Sequence, residues 1–343
     1  MSATTTFGAR HHQVRKLGPY EVTAVGFGCM SLSHGYGPPQ SQERAERVMR
    51  RALDLGVTHF DTAALYGFGA NEQLVGSILG TRPDNVIVAS KCGLFGREGK
   101  RVMDGSPEAI RAVCEQSLRS LRTDRIDLYY LHRWEKQIPI EESVGAMADL
   151  LRAGKIRAIG LSEVGATTLR RAHAVHPIAA LQSEYSLWTR NPEIAVLEEC
   201  RRIGAAFVAF SPLGRGMLTG AIRNPAAFGD GDLRRGMPRF QSPNFEENLR
   251  LLEPLTGIAA SAGCTRAQLA LGWVLARAAH VVVIPGTTHE SHLVENCGAD
   301  AIRLDAATIA RLDQLLPPGS ALGARYPPAT QVENDTEEIG QEG

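Results

Sequence analysis

The sequence predicts one (β/α)8 barrel carrying an N-terminal β-hairpin and an additional C-terminal helix. Short apolar segments alternate with amphipathic ones about eight times without a break between residues 15 and 325. The apolar segments are continuous rather than alternating, as strands covered on both faces should be. No linker or short fixed repeat divides the series. A doubly wound open sheet is the competitor, but it typically has fewer strands and needs a phosphate-binding turn after the first of them. Gly26-Phe27-Gly28 begins such a turn, yet Ser31 stands where the third glycine belongs.

Residues 1–14 lack periodicity and are expected to be flexible. Arg15–Gly18 and Tyr20–Val22 flank a turn and read as the hairpin, and Thr23–Met30 as an apolar, glycine-bearing strand. Glu43–Leu55 is helical, with Ala45, Val48, Met49, Ala52 and Leu55 on one face. Val57–Phe60 is a buried strand of β-branched and aromatic residues, Asn71–Leu79 a helix and Val86–Lys91 the next strand. Pro107–Leu121 is a helix with Ser106 as N-cap and Pro107 at its first position. The strand Ile126–His132 and the helix Ile140–Arg152, ended by Gly154, follow. Then come Ala158–Ser162, the helix Ala166–Val175, Ala179–Gln182, the helix Pro192–Ile203 ended by Gly204, and Ala206–Ser211. A loop-rich insert, Gly214–Phe245, precedes helices at Glu246–Ala262 and Thr265–Ala279. Val281–Ile284 is the last strand, with helices Glu290–Cys297 and Asp305–Leu315 after it. Residues 326–343 are acidic and poor in apolar side chains, and are expected to form a disordered tail.

Composition narrows the function. Hydrophobic content of 43% and charged content of 22% are those of an ordinary globular protein. Lys+Arg 37 against Asp+Glu 37 leaves no net field to attract nucleic acid or an acidic membrane. No apolar run approaches the roughly 20 residues of a membrane helix, and Met1–Arg10 has no apolar core of a secretory signal. Six cysteines without a Cys-x-x-Cys pair argue against a zinc site or disulfide framework and predict a cytoplasmic protein. Cys29 and Cys92 lie near strand ends, as pocket liners or, more commonly, as small buried fillers.

In such a barrel the active site lies at the C-terminal ends of the strands. Four polar residues from three consecutive units fall there: Asp61, Tyr66, Lys91 and His132. Each has a plain alternative: a helix N-cap, a packed loop aromatic, a surface lysine, a satisfied core histidine. Their joint occurrence at equivalent positions favours a proton-donating site. A lysine ammonium eases proton release from a phenol whose ordinary pKa is about 10. Asp61 would pair with Lys91, His132 would hydrogen-bond a substrate oxygen or relay the proton, and Tyr66 would be the general acid for a carbonyl oxygen becoming an alkoxide. With no nucleophile and no metal cluster, the electrons must come from a cofactor. His289-Glu290-Ser291-His292 is one residue short of a zinc-protease motif, and Gly99-Lys100-Arg101 lacks the spacing of a P-loop.

An ordered set of motifs resembles the aldo-keto reductase family over nearly all of residues 15–325. It comprises Phe60-Asp61-Thr62-Ala63 with Tyr66-Gly67, Asn71-Glu72, Ser90-Lys91, Leu131-His132-Arg133, Gly160-Leu161-Ser162, Gln182, Phe210-Ser211-Pro212-Leu213-Gly214, and Ile284-Pro285-Gly286-Thr287 with Glu295-Asn296. His132-Arg133-Trp134 and Arg215-Gly216 look most like the bacterial, plant and fungal branch with a Ser-Pro-Leu-Gly-Arg-Gly cofactor loop. The resemblance implies NAD(P)H-dependent, reversible reduction of aldehydes or ketones, with Asp61, Tyr66, Lys91 and His132 as catalytic tetrad and NADP as the default cofactor. Ser162 and Gln182 would hold the nicotinamide carboxamide, and Phe210, in place of the usual tyrosine, would stack on its ring. Ser211, Leu213 and Gly214 would carry the pyrophosphate, and Glu295 and Asn296 would contact the adenine. Pro212, Arg215, Gly216, Ile284, Gly286, Thr287, Thr288 and His292 would complete the cofactor site. Met30 and Trp134 are the substrate candidates; for Trp134, as for Tyr185 and Trp188, simple packing is an equal alternative. The insert Gly214–Phe245 would fold over the cofactor and gate its release.

Two departures bear on function. Glu163 stands where asparagine often follows the carboxamide-binding serine. The last cofactor loop, Gly286-Thr287-Thr288-His289-Glu290-Ser291-His292, lacks the usual Lys or Arg for the 2′-phosphate of NADP. Histidines, mostly neutral at pH 7, hold phosphate more weakly, so the loop predicts a reduced margin of NADPH over NADH. The alternative function is an NADP-binding sensor barrel that regulates a partner and turns over little.

Overall fold

In the computed structural model, which describes residues 12–340, the hairpin β1 (Val14–Leu17) and β2 (Tyr20–Thr23) pairs antiparallel across a turn at Gly18. Its Leu17 and Val22 are buried against Ile87, Leu128, Ala180, Ala206 and Val282, closing the floor of the barrel with apolar side chains. Eight parallel strands follow: β3 (Phe27–Gly28), β4 (His59–Asp61), β5 (Ile87–Cys92), and, after a second hairpin β6 (Leu94–Arg97) and β7 (Lys100–Met103), β8 (Leu128–Leu131), β9 (Ile159–Ser162), β10 (Ala180–Glu184), β11 (Ala206–Phe210) and β12 (Val281–Val283). Each pairs with its neighbour in chain order, and a parallel bridge between Val25 and Val283 joins the last strand to the first.

The expected first strand, Thr23–Met30, is therefore split. Thr23 belongs to the hairpin, and only Phe27–Gly28 pairs as a strand with β4. The intervening backbone faces β12, with Gly26 N–H donating to Val283 O at 2.8 Å. At Gly28 the seam is too tight for a side chain: a Cβ would lie 2.8 Å from the carbonyl oxygen of Ile284.

The helices are α1 (Gln42–Asp54), α2 (Ala70–Leu79), α3 (Pro107–Leu121), α4 (Ile140–Arg152), α5 (Ala166–Val175), α6 (Val196–Ile203), α7 (Asn244–Leu252), α8 (Leu255–Ser261), α9 (Arg266–Ala276), α10 (Glu290–Cys297), α11 (Ala306–Leu315) and the short α12 (Pro328–Gln331). Local chemistry sets their ends. Ser106 Oγ accepts from Ala109 N–H to start α3, Thr265 and Gln268 form a capping box on α9, and Gly204 at φ +75 ends α6. The expected helix Glu246–Ala262 is two helices, because Pro254 has no N–H to continue the first. The first turn of the expected helix Pro192–Ile203 is a separate 3₁₀ turn at Asn191–Glu193. The hairpin β6–β7 was not expected.

The tail also departs from expectation. Residues 326–340 are ordered as a strap across the C-terminal rim. Acidic residues there meet unsatisfied donors on the barrel: Glu337 Oε1 accepts Ala166 N–H at 2.7 Å, and Asp335 Oδ2 accepts Gly165 N–H at 3.4 Å. They cap α5, whose N-cap is a glycine with no side chain to do so. Residues 341–343 and 1–11 lie outside the described residues. Of the expected flexible N-terminus, His12 is held by Leu55 O and Asp300 at 2.6 Å each. Among the described residues no helix is long and apolar enough to cross a membrane.

Candidate active site

The ends of successive strands carry the polar residues. Asp61 closes β4, Lys91 lies one residue from the end of β5, His132 follows β8, Ser162 closes β9, Glu184 closes β10 and Phe210 closes β11. Lys91 is fully enclosed. Its ammonium is ion-paired to Asp61 Oδ1 and donates to Thr62 O at 2.7 Å. Gln182 Nε2 donates to the other oxygen of Asp61 at 2.7 Å, so the carboxylate is fixed on both sides. Lys91 Nζ lies 5.1 Å from the centroid of the Tyr66 ring, and the His132 ring meets Tyr66 edge-on at 5.8 Å.

Tyr66 is delivered by a tight turn. Gly67 and Phe68 both adopt left-handed backbone, at φ +56 and +51, and the Phe68 ring packs on Gly96 of β6. A Cβ at Gly96 would sit 2.3 Å from that ring, so the glycine lets the hairpin dock against the turn. Asn71 ties the same turn back, donating to Cys29 O and Ser33 Oγ at 2.9 Å each.

Charge is distributed so that Lys91, Tyr66 and His132 each have one protonation state near neutral pH. Burial alone would discharge Lys91, but Asp61 and Tyr66 outweigh it and raise its pKa. Burial raises the Tyr66 phenol, with Lys91 pulling the other way. Burial and then the cations Arg133 and Lys91 push His132 well below its ordinary value, so its imidazole is neutral and offers a neutral N–H. Its Nδ1 is buried with no partner among the described residues.

Asp61, Tyr66 and His132 open into one cleft of about 1050 Å³, which the enclosed Lys91 does not line. Its walls include Met30, Asp61, Tyr66, His132, Ser162, Gln182, Phe210, Ser211, Pro212, Leu213, Arg215 and Gly216, and they run on to Ile284, Gly286, Thr287, Thr288, His292, Glu295 and Asn296. Gly214 is buried beside this wall and does not line it. The cleft fits an elongated polar ligand: Ser31 Oγ lies buried on its wall without a hydrogen-bond partner among the described residues. Trp134 does not reach the cleft. Its indole N–H donates to Ile138 O at 2.8 Å and Arg171 covers its ring, which ties it to the loop before α4. Tyr185 and Trp188 are likewise packed in the core, against Phe207 and Phe240.

Several pairings around the site escaped the sequence reading. Arg133 Nη1 donates to His132 O at 2.6 Å and to Ser162 Oγ at 3.2 Å, bracing both. Glu163, at φ +56, is buried and pairs at 2.8 Å with Arg325, the residue just before the strap. Arg215 is paired with Glu184 at 2.7 Å and donates to Tyr326 Oη at 3.0 Å, so its guanidinium is already committed to the barrel and the strap. No local pattern announces Glu163–Arg325, whose partners are 162 residues apart. Arg44 Nε donates to Thr288 O at 3.0 Å, and its one local sign is a cation in the first turn of a helix, where the dipole favours acids.

The buried charges make stability pH-dependent. Burial by itself would raise Glu184, but Arg215, Arg325 and Arg239 overcome it and hold the carboxyl down at about 2, against an ordinary value of 4.5. A carboxyl with a lower pKa folded than unfolded stabilises the fold above its unfolded value. That contribution, on the order of 3 kcal/mol, fades as pH falls from about 4.5 towards 2. Urea midpoints at about pH 7 and about pH 3 should differ, and Glu184→Gln should narrow the difference. An unchanged difference in the variant would contradict this account.

Comparison with known proteins gives a consistent result. A family model described as "Aldo/keto reductase family" matches residues 24–317. The chain is 42% identical over 324 residues to "Aldo-keto reductase yakc [NADP(+)]" of Schizosaccharomyces pombe, covering 92% of this chain and 94% of that one. It is 41% identical over 311 residues to "Probable aldo-keto reductase 1" of Glycine max, covering 90% and 89%. Among solved structures, the glycerol dehydrogenase AKR11B4 of Gluconobacter oxydans superposes with a TM-score of 0.80 at 29% identity, over 92% of this chain and 97% of that one. An aldo-keto reductase of Klebsiella pneumoniae in complex with NADPH superposes with a TM-score of 0.69 at 29% identity, over 92% and 99%.

Proposed function

Since the chain belongs to the aldo/keto reductase family, we propose that it reduces aldehyde or ketone carbonyls to alcohols, reversibly, with NADPH as reductant and Tyr66 as proton donor. The carrying observation is the buried Lys91–Asp61 ion pair beside the Tyr66 ring, with the neutral His132 edge-on to the same ring. When bound, the reduced nicotinamide supplies the hydride to the carbonyl carbon. His132 donates a hydrogen bond to the carbonyl oxygen as negative charge builds on it. Tyr66 gives that oxygen its proton, and the Lys91 ammonium stabilises the tyrosinate left behind. Asp61 and the Thr62 carbonyl hold the ammonium in place, and Gln182 holds Asp61.

Ser162 and Phe210 hold the nicotinamide end, Ser211 to Leu213 the pyrophosphate, and Thr287 to Asn296 the adenosine. Gln182 reads better as a partner of Asp61, and Arg215 as a brace between the cofactor loop and the strap. The segment 214–245 is the cover of the cofactor cleft: Leu233 N–H donates to Gly35 O at 2.9 Å, and Arg234 stacks on Tyr36 at 4.9 Å. Six cysteines without a Cys-x-x-Cys pair support the cytoplasm as its compartment. No observation favours the regulatory alternative.

The test is consumption of NADPH and NADH against a panel of aldehydes, ketones and aldoses. Turnover of reactive aldehydes with NADPH is expected, and its absence across the panel, with cofactor binding intact, would overturn the assignment.

A further inference from the structure

NADP differs from NAD by one phosphate, and choosing between them requires a cation not already neutralised. Most cations on the cleft wall are committed elsewhere. Arg101 pairs with Glu333, Arg215 with Glu184, and Arg234 with Asp232. Arg133 is buried between His132 O and Ser162 Oγ, beside the catalytic groups. The loop Gly286–His292 has no lysine or arginine of its own.

Arg44 reaches that loop from a different element. It stands in the first turn of α1, which packs on α10. Its Nε donates to Thr288 O at 3.0 Å, and its Nη2 lies 3.0 and 3.2 Å from the ring nitrogens of His289. Thr288 and His289 both line the cleft, and the His292 ring packs tilted against His289 at 4.9 Å. No carboxylate lies within ion-pair distance of Arg44 among the described residues, and its Nη1 donors have no partner there. The nearby Glu290 is instead 3.9 Å from Arg47. A cation in the first turn of a helix also opposes the helix dipole. An uncompensated, half-buried guanidinium, oriented by a carbonyl of the cofactor loop, is costly to keep without an anion to meet.

We propose that Arg44 selects NADP over NAD by binding the 2′-phosphate, in place of a cation on the cofactor loop itself. The assignment rests on the cofactor reading above. Arginine suits the task because its planar fork can spend one donor on Thr288 O and still present two to a phosphate. Thr287, Thr288 and the two histidines supply the remaining donors. The reduced margin expected from the loop sequence is therefore restored from outside the loop.

The test is direct binding by titration calorimetry of the full chain with NADP⁺, NAD⁺ and 2′,5′-ADP, for wild type, Arg44→Met, Arg44→Lys and Arg47→Met. Arg44→Met is expected to weaken NADP⁺ and 2′,5′-ADP by about 10- to 100-fold, as loss of charge-assisted hydrogen bonds implies. NAD⁺ should change by less than about twofold, Arg44→Lys should recover part of the loss, and Arg47→Met should match wild type. Equal loss for NADP⁺ and NAD⁺, or no loss for either, would overturn the assignment while leaving the reductase reading intact. Selective loss of NADP⁺ in Arg266→Met but not Arg44→Met would overturn it too, moving the role to a guanidinium now bonded to Leu218 O. Failure of wild type to bind any of the nucleotides would instead remove the cofactor reading itself.

Discussion

Tyr66→Phe should lower kcat by about 10²- to 10⁴-fold, the usual contribution of a positioned general acid, while NADP⁺ affinity stays within about twofold. The ring that packs against His132 and over Lys91 is kept, and only the hydroxyl is removed. The phenol is raised by burial and lowered by Lys91. The lost group is thus a proton donor whose conjugate base has a cation waiting for it, and phenylalanine has no proton to give. Steady-state turnover alongside direct cofactor titration measures both halves. A variant with near-normal kcat would remove Tyr66 from the acid role, and a variant that loses NADP⁺ binding would make it a binding residue.

Lys91→Met should be the most destabilising change at the site, costing about 3–5 kcal/mol, because it leaves a buried carboxylate without its cation. Gln182 still donates to one oxygen of Asp61, but a neutral amide does not replace an ammonium. The variant should also lose turnover by at least about 100-fold, since the tyrosinate would form without a neighbouring charge. Adding Asp61→Asn separates the two effects. The double variant should recover most of the urea midpoint, having no charge left to bury, and none of the turnover. If the double variant is as unstable as the single one, the cost comes from packing around a methionine and not from the stranded charge.

Capping chemistry made part of this fold legible from residue order. The helices at Pro107–Leu121, Ile140–Arg152, Ala166–Val175 and Glu290–Cys297 lie where the periodicity and caps predict them. Ser106 and Pro107 start the first of these and Gly154 follows the second, each through contacts within a few residues. The gathering of Asp61, Tyr66, Lys91 and His132 at one place was legible for a related reason: strand ends in a barrel converge, so residues far apart in sequence share one rim. Misreadings arose where long-range partners decide. Residues 326–343 have the composition of a disordered segment, yet Asp335 and Glu337 cap α5, Glu333 pairs with Arg101, and Lys136 holds the backbone at Val332 and Asn334. Trp134 neighbours His132 in sequence but is turned away by a bond to Ile138 O. Arg44 was overlooked because it belongs to α1, some 244 residues before the carbonyl it bonds.

The strap has a bearing on how this protein acquires activity during synthesis. Glu163 and the start of α5 are built long before Arg325, Asp335 and Glu337 emerge from the ribosome. A nascent chain halted near residue 324 would contain every member of the tetrad, yet it would carry a stranded carboxylate at Glu163 and lack the wall that Tyr326, Thr330 and Asn334 provide. Turnover would then await synthesis of residues 325–337, and a truncation before them would remove part of the cleft wall rather than a remote appendage.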